Sequence, residues 1–138
     1  MEEFIQLFYH QEKISTMHDE LISLRIQELL KDHQVYLFND QVQIIPLEQI
    51  TQSLLQRYLR EVHRISIMII PEYHRDPKTK HDWNYYHSEM KIPMKPEKCT
   101  PEQLELGCFE IFRDDNGFDT YEEMLEFCLY EGLKELYS

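Results

Sequence analysis

The 138-residue sequence lacks the short motifs that mark several large classes of enzyme. It contains three glycines, and none falls in a G-x-G-x-x-G or Walker pattern, so a phosphate-binding loop of either type is excluded. No G-x-S-x-G sequence occurs, and no cysteine stands in a recognisable nucleophile motif. We therefore predict that the protein is not an enzyme and uses no cofactor.

Long apolar runs and cysteine motifs are also missing. No apolar run approaches the roughly 20 residues that a membrane helix requires, and the N-terminus does not resemble a secretory signal. Cys99, Cys108 and Cys128 are an odd number without CxxC spacing, which favours reduced thiols over disulfides. These features predict a cytoplasmic protein that does not contact membranes.

Basic residues are scarce, with 14 Lys and Arg against 26 Asp and Glu and a formal net charge of −12. Most of the excess lies in the second half of the chain, from Pro71 onward. Nucleic-acid affinity depends on Lys and Arg that neutralise phosphates, so nucleic acid is unfavoured and a basic partner protein is favoured. Solubility alone is the ordinary explanation of an acidic surface.

The stretch from Leu47 to Ile70 has the clearest structural pattern in the chain. A helix is predicted to begin at Pro46, because apolar residues then recur at steps of three and four. They are Leu47, Ile50, Leu54, Leu55, Tyr58, Leu59 and Val62. The opposite, polar side is predicted to hold Gln49, Gln52, Gln56, Arg57, Arg60, Glu61 and Arg64. Residues 65–70 predict a strand, placed at the centre of a sheet because both of its faces are apolar.

Residues 1–45 are predicted to form a helix and a hairpin. An N-cap pattern at Thr16 precedes an amphipathic helix that reaches His33. Two short β-prone runs on either side of Asn39 and Asp40 predict a small hairpin. The apolar first ten residues are expected to pack on the domain or on a second copy of it.

Two strands and two irregular connections are predicted between Pro71 and Gly117. The connections, residues 71–82 and 93–101, are rich in proline and charge, and the second is the best candidate for a mobile loop. The strands are residues 83–92 and 108–113, the latter ending in a turn at 114–117.

The last segment predicts an amphipathic helix. Thr120 and Glu123 match the S/T-x-x-E capping box. Its apolar stripe consists of Tyr121, Met124, Leu125, Cys128, Leu129, Leu133 and Leu136. Gly132 lies inside this helix at a cost of about 1 kcal/mol relative to Ala, which indicates a close contact with a neighbouring element.

These elements predict a single α+β domain over residues 1–138. An N-terminal helix and a β-hairpin occupy residues 1–45, and an α-β-β-β-α unit occupies residues 46–138. In that unit a small mixed or antiparallel sheet is packed by two amphipathic helices.

Three segments carry a resemblance to a known family. They are LLQRYLREVHRISIMIIPEY, WNYY and FDTYEEMLEFCLYEGLKELYS. Together they resemble small uncharacterised proteins from prophages and mobile elements of gut Bacteroidetes-type bacteria, over about two thirds of the chain. The sequence departs from that family at Tyr58, where Trp is common, at Met124, where Ala is usual, and in its extended N-terminus. The resemblance implies a genomic context and no particular chemistry.

Two groups of residues are candidates for binding a partner. Trp83, Tyr85 and Tyr86 form an aromatic strand, and such rings are enriched in binding hot spots, although core packing is the simpler explanation of them. Glu122 and Glu126 lie on the acidic face of the last helix. We predict a non-enzymatic interaction or regulatory protein of a prophage or mobile element, which contacts a protein of the host or of the same element. A homodimer is the second assembly that we consider compatible with the sequence.

The alternative prediction is a nucleic-acid-associated protein. The order helix, strand, strand, strand, helix is that of double-stranded RNA-binding domains, and Arg57, Arg60 and Arg64, with the lysines after Pro93, would contact phosphates. The last helix opposes this alternative, because it carries five glutamates and one lysine.

Four histidines are candidates for metal ligands. His63, His74, His81 and His87 are 11, 7 and 6 residues apart, which matches no compact zinc signature. We predict no metal site.

Overall fold

Four α-helices and five strands run through the part of the chain that the computed structural model describes, residues 20–80 and 82–137 without the side chains of 82–84 and 115–116. The helices are α1 (Leu24–Leu30), α2 (Gln52–His63), α3 (Pro101–Leu106) and α4 (Tyr121–Leu136). The strands are β1 (Val35–Asn39), β2 (Gln41–Ile45), β3 (Ser66–Arg75), β4 (Asp82–Pro93) and β5 (Phe109–Phe118). Short 3-10 helices occupy Leu47–Gln49 and Pro96–Lys98.

The strands form two antiparallel sheets, which confirms the predicted α+β class and the predicted hairpin. β1 pairs with β2 around Asp40, which adopts the left-handed conformation of a tight turn (φ 60°). The second sheet has the order β3-β4-β5. Helix α4 packs against all three of its strands, and α2 packs against β3 and α4. The helices therefore cover one face of this sheet.

One apolar core joins the two parts of the chain. It includes Ile26 and Leu30 of α1, Val35 and Leu37 of β1, and the apolar stripes of α2 and α4. On α4 the buried residues are Met124, Leu125, Cys128, Leu129, Gly132 and Leu133, and the two end residues of the predicted stripe, Tyr121 and Leu136, are half-buried. On α2 they include Leu55, Tyr58 and Leu59.

The predicted starts of two helices are wrong. Helix α2 begins at Gln52 and not at Pro46, because the Thr51 side chain caps it by accepting a hydrogen bond from the Leu54 N–H. Pro46 instead precedes a single 3-10 turn. Helix α1 begins at Leu24 and is capped by Ser23. Residues 20–23, which the sequence predicts to be helical, therefore lie before the helix. The predicted cap at Thr16 and the apolar first ten residues lie outside the described residues.

The predicted position of the strand over residues 65–70 is also wrong, because β3 is an edge strand of its sheet and β4 is central. The strand continues through Pro71 to Arg75, where an irregular connection was predicted. An edge strand tolerates proline, since the missing N–H removes no essential hydrogen bond there. Met68 is accordingly 51% exposed, on the sheet face that the helices leave open.

Two further segments differ from the prediction. Residues 114–117 are not a terminal turn, because β5 continues to Phe118 through a bulge that shifts the register between Tyr86 and Ser88 of β4. Residues 93–101, predicted as an irregular and mobile loop, contain a 3-10 turn and lead into α3. Helix α3 was missed, although Thr100 and Gln103 form a capping box.

Gly132 provides the close contact that its position predicts. A Cβ atom at this glycine would lie 3.3 Å from Met90 Sδ, with Ile65 and Leu59 just beyond. We expect Gly132→Val to lower the free energy of unfolding by about 1–3 kcal/mol, because the larger side chain overpacks the helix–sheet contact.

Urea denaturation measures this effect. The matched control is Glu135→Val, which places the same β-branched residue at an exposed site on α4. Gly132→Ala should be near neutral, because the gain in helix propensity offsets a small shift of the flexible Met90 side chain. Equal losses for the two valine variants would contradict the packing explanation.

Candidate functional site

A groove of about 750 Å³ opens beside the first turns of α4, and we call it the α1–α4 groove. It is lined by Glu20, Leu21, Ser23, Arg25, Gln52, Phe118, Thr120, Glu122, Glu123, Glu126 and Phe127. Four carboxylates and one guanidinium give this lining a formal charge of −3. Both glutamates predicted from the sequence as partner-binding residues, Glu122 and Glu126, belong to it.

Backbone hydrogen bonds hold the walls of the groove together. The N–H of Gln52 donates to the carbonyl of Glu20 at 2.7 Å, and the N–H of Ile22 donates to the carbonyl of Ile50 at 3.1 Å. These bonds attach the segment before α1 to the start of α2. The groove is therefore a fixed part of the fold and is not formed by side chains alone.

The Arg25 guanidinium joins α1 to α4 by a bidentate ion pair with Glu126. Arg25 Nε donates to Glu126 Oε1 at 2.8 Å, and its Nη2 donates to Oε2. Ser23 Oγ donates to the same carboxylate at 2.6 Å, and the Arg25 guanidinium lies 4.1 Å from the centre of the Tyr130 ring. Glu126 is thus part of a preformed structure and is not a freely solvated charge.

The same contacts change the acidity of Glu126. Partial desolvation raises its pKa, but the hydrogen bonds from Arg25 and Ser23 and the positive charge of Arg25 together lower it below the usual value. Because the pKa is lower in the folded than in the unfolded state, the pair stabilises the fold above the unfolded pKa. This stabilisation is lost as the pH falls through the lowered value.

We expect Glu126→Gln to lower the free energy of unfolding by about 0.5–1 kcal/mol at pH 7, which is the range of partly exposed ion pairs. The variant should also lose less stability than the wild type when the pH is reduced from 5 to 3. Urea denaturation at several pH values tests both statements. The matched control is Glu131→Gln, which removes a carboxylate from the same helix, and equal pH profiles of the two variants would argue against the mechanism.

The capping residues place two more carboxylates at the groove. Thr120 Oγ1 accepts from the Glu123 N–H at 3.2 Å and donates to the Glu123 carboxylate at 3.0 Å. Glu122 and Glu123 stand in the first turn of α4, where the helix dipole favours negative charge. The capping motif read from the sequence therefore also positions acidic groups in the groove.

Gln52 is the groove residue that the sequence pattern misplaced. It was predicted on the polar side of α2, but it is 2% exposed. Its Nε2 donates to the backbone carbonyl of Glu122 at 3.1 Å, which fixes the orientation of the amide. Within the described part of the chain, Gln52 Oε1 has no hydrogen-bond donor. The signal available in the sequence was Thr51, whose role as N-cap makes Gln52 the first helical residue.

The predicted aromatic strand is divided between the two faces of its sheet. Tyr85 lies on the open face, where its ring stacks on His74 with centroids 4.9 Å apart. Glu72 accompanies them, with its carboxylate 2.8 Å from His87 Nε2 and 3.4 Å from His74 Nε2.

Tyr86 is directed toward the helices and meets the Tyr121 ring edge-on. Tyr85 and Tyr86 therefore do not form one surface. The side chain of Trp83 lies outside the described residues.

The three arginines of the alternative prediction lie toward the C-terminal end of α2. Arg57 donates to Glu61 at 3.0 Å and to Asn39 at 3.2 Å, so it is engaged within the fold. Arg60 and Arg64 are exposed. Arg64 takes the left-handed conformation (φ 57°) that ends α2, where its structural role is to let the chain turn into β3.

Three of the four candidate metal-ligand histidines lie among the described residues. In residues 20–80 and 82–137, no group of three or more His, Cys, Asp or Glu is arranged to hold a metal ion. His63 instead contacts Tyr58 OH at 2.9 Å, and burial lowers the pKa of this histidine. His81 lies outside the described residues.

Comparison with known proteins gives no relative from which a function can be transferred. No family model, no curated protein and no solved structure matches the chain. The resemblance to prophage proteins therefore stays a prediction. None of the helices in the described part of the chain combines the length and the apolar character needed to cross a bilayer.

Proposed function

We propose that this chain is a non-enzymatic interaction protein of a prophage or mobile element, acting in the cytoplasm, and that it binds a basic segment of a partner protein in the α1–α4 groove. The observation that carries this proposal is the lining of the groove, which combines four carboxylates with the rings of Phe118 and Phe127. A basic segment with apolar residues complements both features. The partner belongs to the host or to the same element.

The charge of the whole molecule supports a basic partner over the two rivals. A formal charge of −12 attracts cationic proteins and repels the phosphates of nucleic acid. It also opposes a homodimer formed through this groove, because two copies would bring two acidic linings together. Arg60 and Arg64, at the end of α2, are exposed. These two positive charges are outnumbered by the five glutamates of α4, the helix that packs beside α2.

Fluorescence polarisation with paired peptides tests the proposal. Two labelled peptides of equal length and apolar content, one containing Arg and Lys and the other containing Glu at the same positions, are titrated with the full chain. We expect the basic peptide to bind, the acidic peptide not to bind, and the affinity to fall as salt is added. A labelled RNA duplex is the third probe. Salt-dependent binding of the duplex without binding of the basic peptide would overturn the proposal in favour of a nucleic-acid role.

A further inference from the structure

We infer that the α1–α4 groove recognises the guanidinium group of an arginine side chain on the partner, with Gln52 Oε1 and the adjacent carboxylates as acceptors. This inference rests on the proposed function, since it names the chemical group that a basic segment would insert. An acidic lining alone attracts any cation. The buried amide of Gln52 adds the selectivity that the carboxylates lack.

Gln52 presents a hydrogen-bond acceptor for which the described residues supply no donor. The amide cannot satisfy itself by exchanging its two ends, because Nε2 already donates to the Glu122 carbonyl at 3.1 Å. A buried carbonyl without a donor is costly, and the cost is recovered when a ligand supplies one. Its oxygen has almost no accessible surface in this structure, so an entering donor reaches it only when the side chains that cover it move aside.

A guanidinium suits this environment better than an ammonium group. Its planar fork of five donors can bond a carbonyl and a carboxylate at the same time, whereas lysine presents a compact point charge that is strongly hydrated. The rings of Phe118 and Phe127, with centroids 5.5 Å apart, provide aromatic surface in the groove on which a guanidinium can stack. An arginine side chain thus has a property to match each group: N–H donors for the Gln52 carbonyl, positive charge for the carboxylates, and a flat face for the rings.

The neighbouring wall of the groove already contains a guanidinium group that is held by a carboxylate and an aromatic ring. Arg25 is held by the Glu126 carboxylate through two hydrogen bonds and lies over the Tyr130 ring at 4.1 Å. Arg25 neutralises Glu126 in this way, and the other carboxylates of the lining are Glu20, Glu122 and Glu123. The partner's arginine would repeat, at Gln52 and Glu122, the contacts that Arg25 makes within the chain.

Charge argues against the chain's own N-terminal segment as the occupant. Residues 1–19 contain four acidic residues and one lysine, a net charge of −3 that matches the sign of the lining. This segment is covalently attached to Glu20 of the lining, so it is a competitor for the groove. The test includes it as a separate probe.

The experiment is an NMR titration of the ¹⁵N-labelled full chain with N-acetyl-arginine methylamide and, separately, with the lysine analogue. We expect the arginine compound to shift the side-chain amide of Gln52 and the backbone amides of residues 120–126, and to bind about tenfold more tightly than the lysine compound, as one additional charge-assisted hydrogen bond provides. Gln52→Met should abolish this preference.

Gln56→Met is the matched control. Gln56 lies one turn further along α2, and its Nε2 also donates to a backbone carbonyl, that of Ile67, at 3.0 Å. The control loses a comparable bond outside the groove, so it should retain the preference for arginine. If Gln52→Met does not fold, the comparison of arginine with lysine on the wild-type chain still decides the question.

Three results would overturn the inference. Equal binding of the arginine and lysine compounds in the groove would refute it and leave the proposed function intact. Shifts confined to residues outside the groove, together with no binding of the basic peptide, would refute both. A synthetic peptide of residues 1–19 that shifts the backbone amides of residues 120–126, while the arginine compound shifts none of them, would overturn the inference and identify the chain's own segment as the occupant.

Discussion

Replacing Leu129 with alanine is expected to lower the free energy of unfolding by about 2–5 kcal/mol. Leu129 is fully buried in the middle of α4, where the helix meets the sheet. Truncation removes the transfer free energy of its methyl and methylene groups and leaves a cavity that close packing prevents from collapsing fully. A loss of this size is a large fraction of the 5–15 kcal/mol by which a typical domain is stable.

Leu106→Ala is the control for Leu129→Ala. Leu106 ends α3 and is 86% exposed, so the same chemical change should alter the free energy of unfolding by less than about 0.5 kcal/mol. Urea denaturation followed by circular dichroism gives both values. Similar losses at the two positions would mean that α4 does not close the core in the way described.

The double substitution Glu122→Gln and Glu123→Gln is expected to weaken binding of the basic peptide by about tenfold at low salt, because it removes two of the four lining carboxylates. Glutamine at position 123 can still support the helix cap, so the fold should be retained. Fluorescence polarisation measures the change in affinity, and urea denaturation checks the stability of the variant.

A matched variant separates the groove from general electrostatic attraction. Glu102→Gln with Glu105→Gln removes the same number of charges from α3, which does not line the groove. We expect this variant to bind the basic peptide within about twofold of the wild type, since exposed distant charges are largely screened. If the two double variants lose affinity equally, the peptide is attracted by net charge and has no site in the groove.

The elements that were predicted correctly are those specified by their own local sequence. The stripe of α4 repeats every three to four residues and is preceded by Thr120, so its burial and its start follow from one segment. The β1–β2 hairpin is marked by Asn39 and Asp40 at its tip. In both cases the stabilising contacts lie close together in the chain.

The errors arose where the outcome depends on distant parts of the chain. Whether β3 is central or peripheral is decided by where β5 pairs, which the apolar residues of β3 do not encode. Pro71 is compatible with an edge strand, but together with the charged residues that follow it predicts a connection instead. The start of α2 was misplaced because apolar periodicity continues back to Leu47, while the capping bond is made by Thr51.

The α1–α4 groove could not be predicted as a unit. Its central contact joins Ser23 to Glu126, which are 103 residues apart, and no local pattern relates them. The sequence indicated the acidic face of α4 and so identified Glu122 and Glu126. It gave no indication of Arg25, which neutralises one of these charges, and the apolar periodicity assigned Gln52 to the polar side of its helix.

Hydrogen–deuterium exchange of the full chain, with and without a saturating arginine-containing basic peptide, tests the central claim most directly. If the groove is the binding surface, the peptide should slow exchange in residues 20–25 and 118–127 and leave β1, β2 and α3 unchanged. Protection centred on residues 57–64, or no protection of residues 118–127 under conditions where the peptide binds, would contradict the assignment of this groove as the binding site.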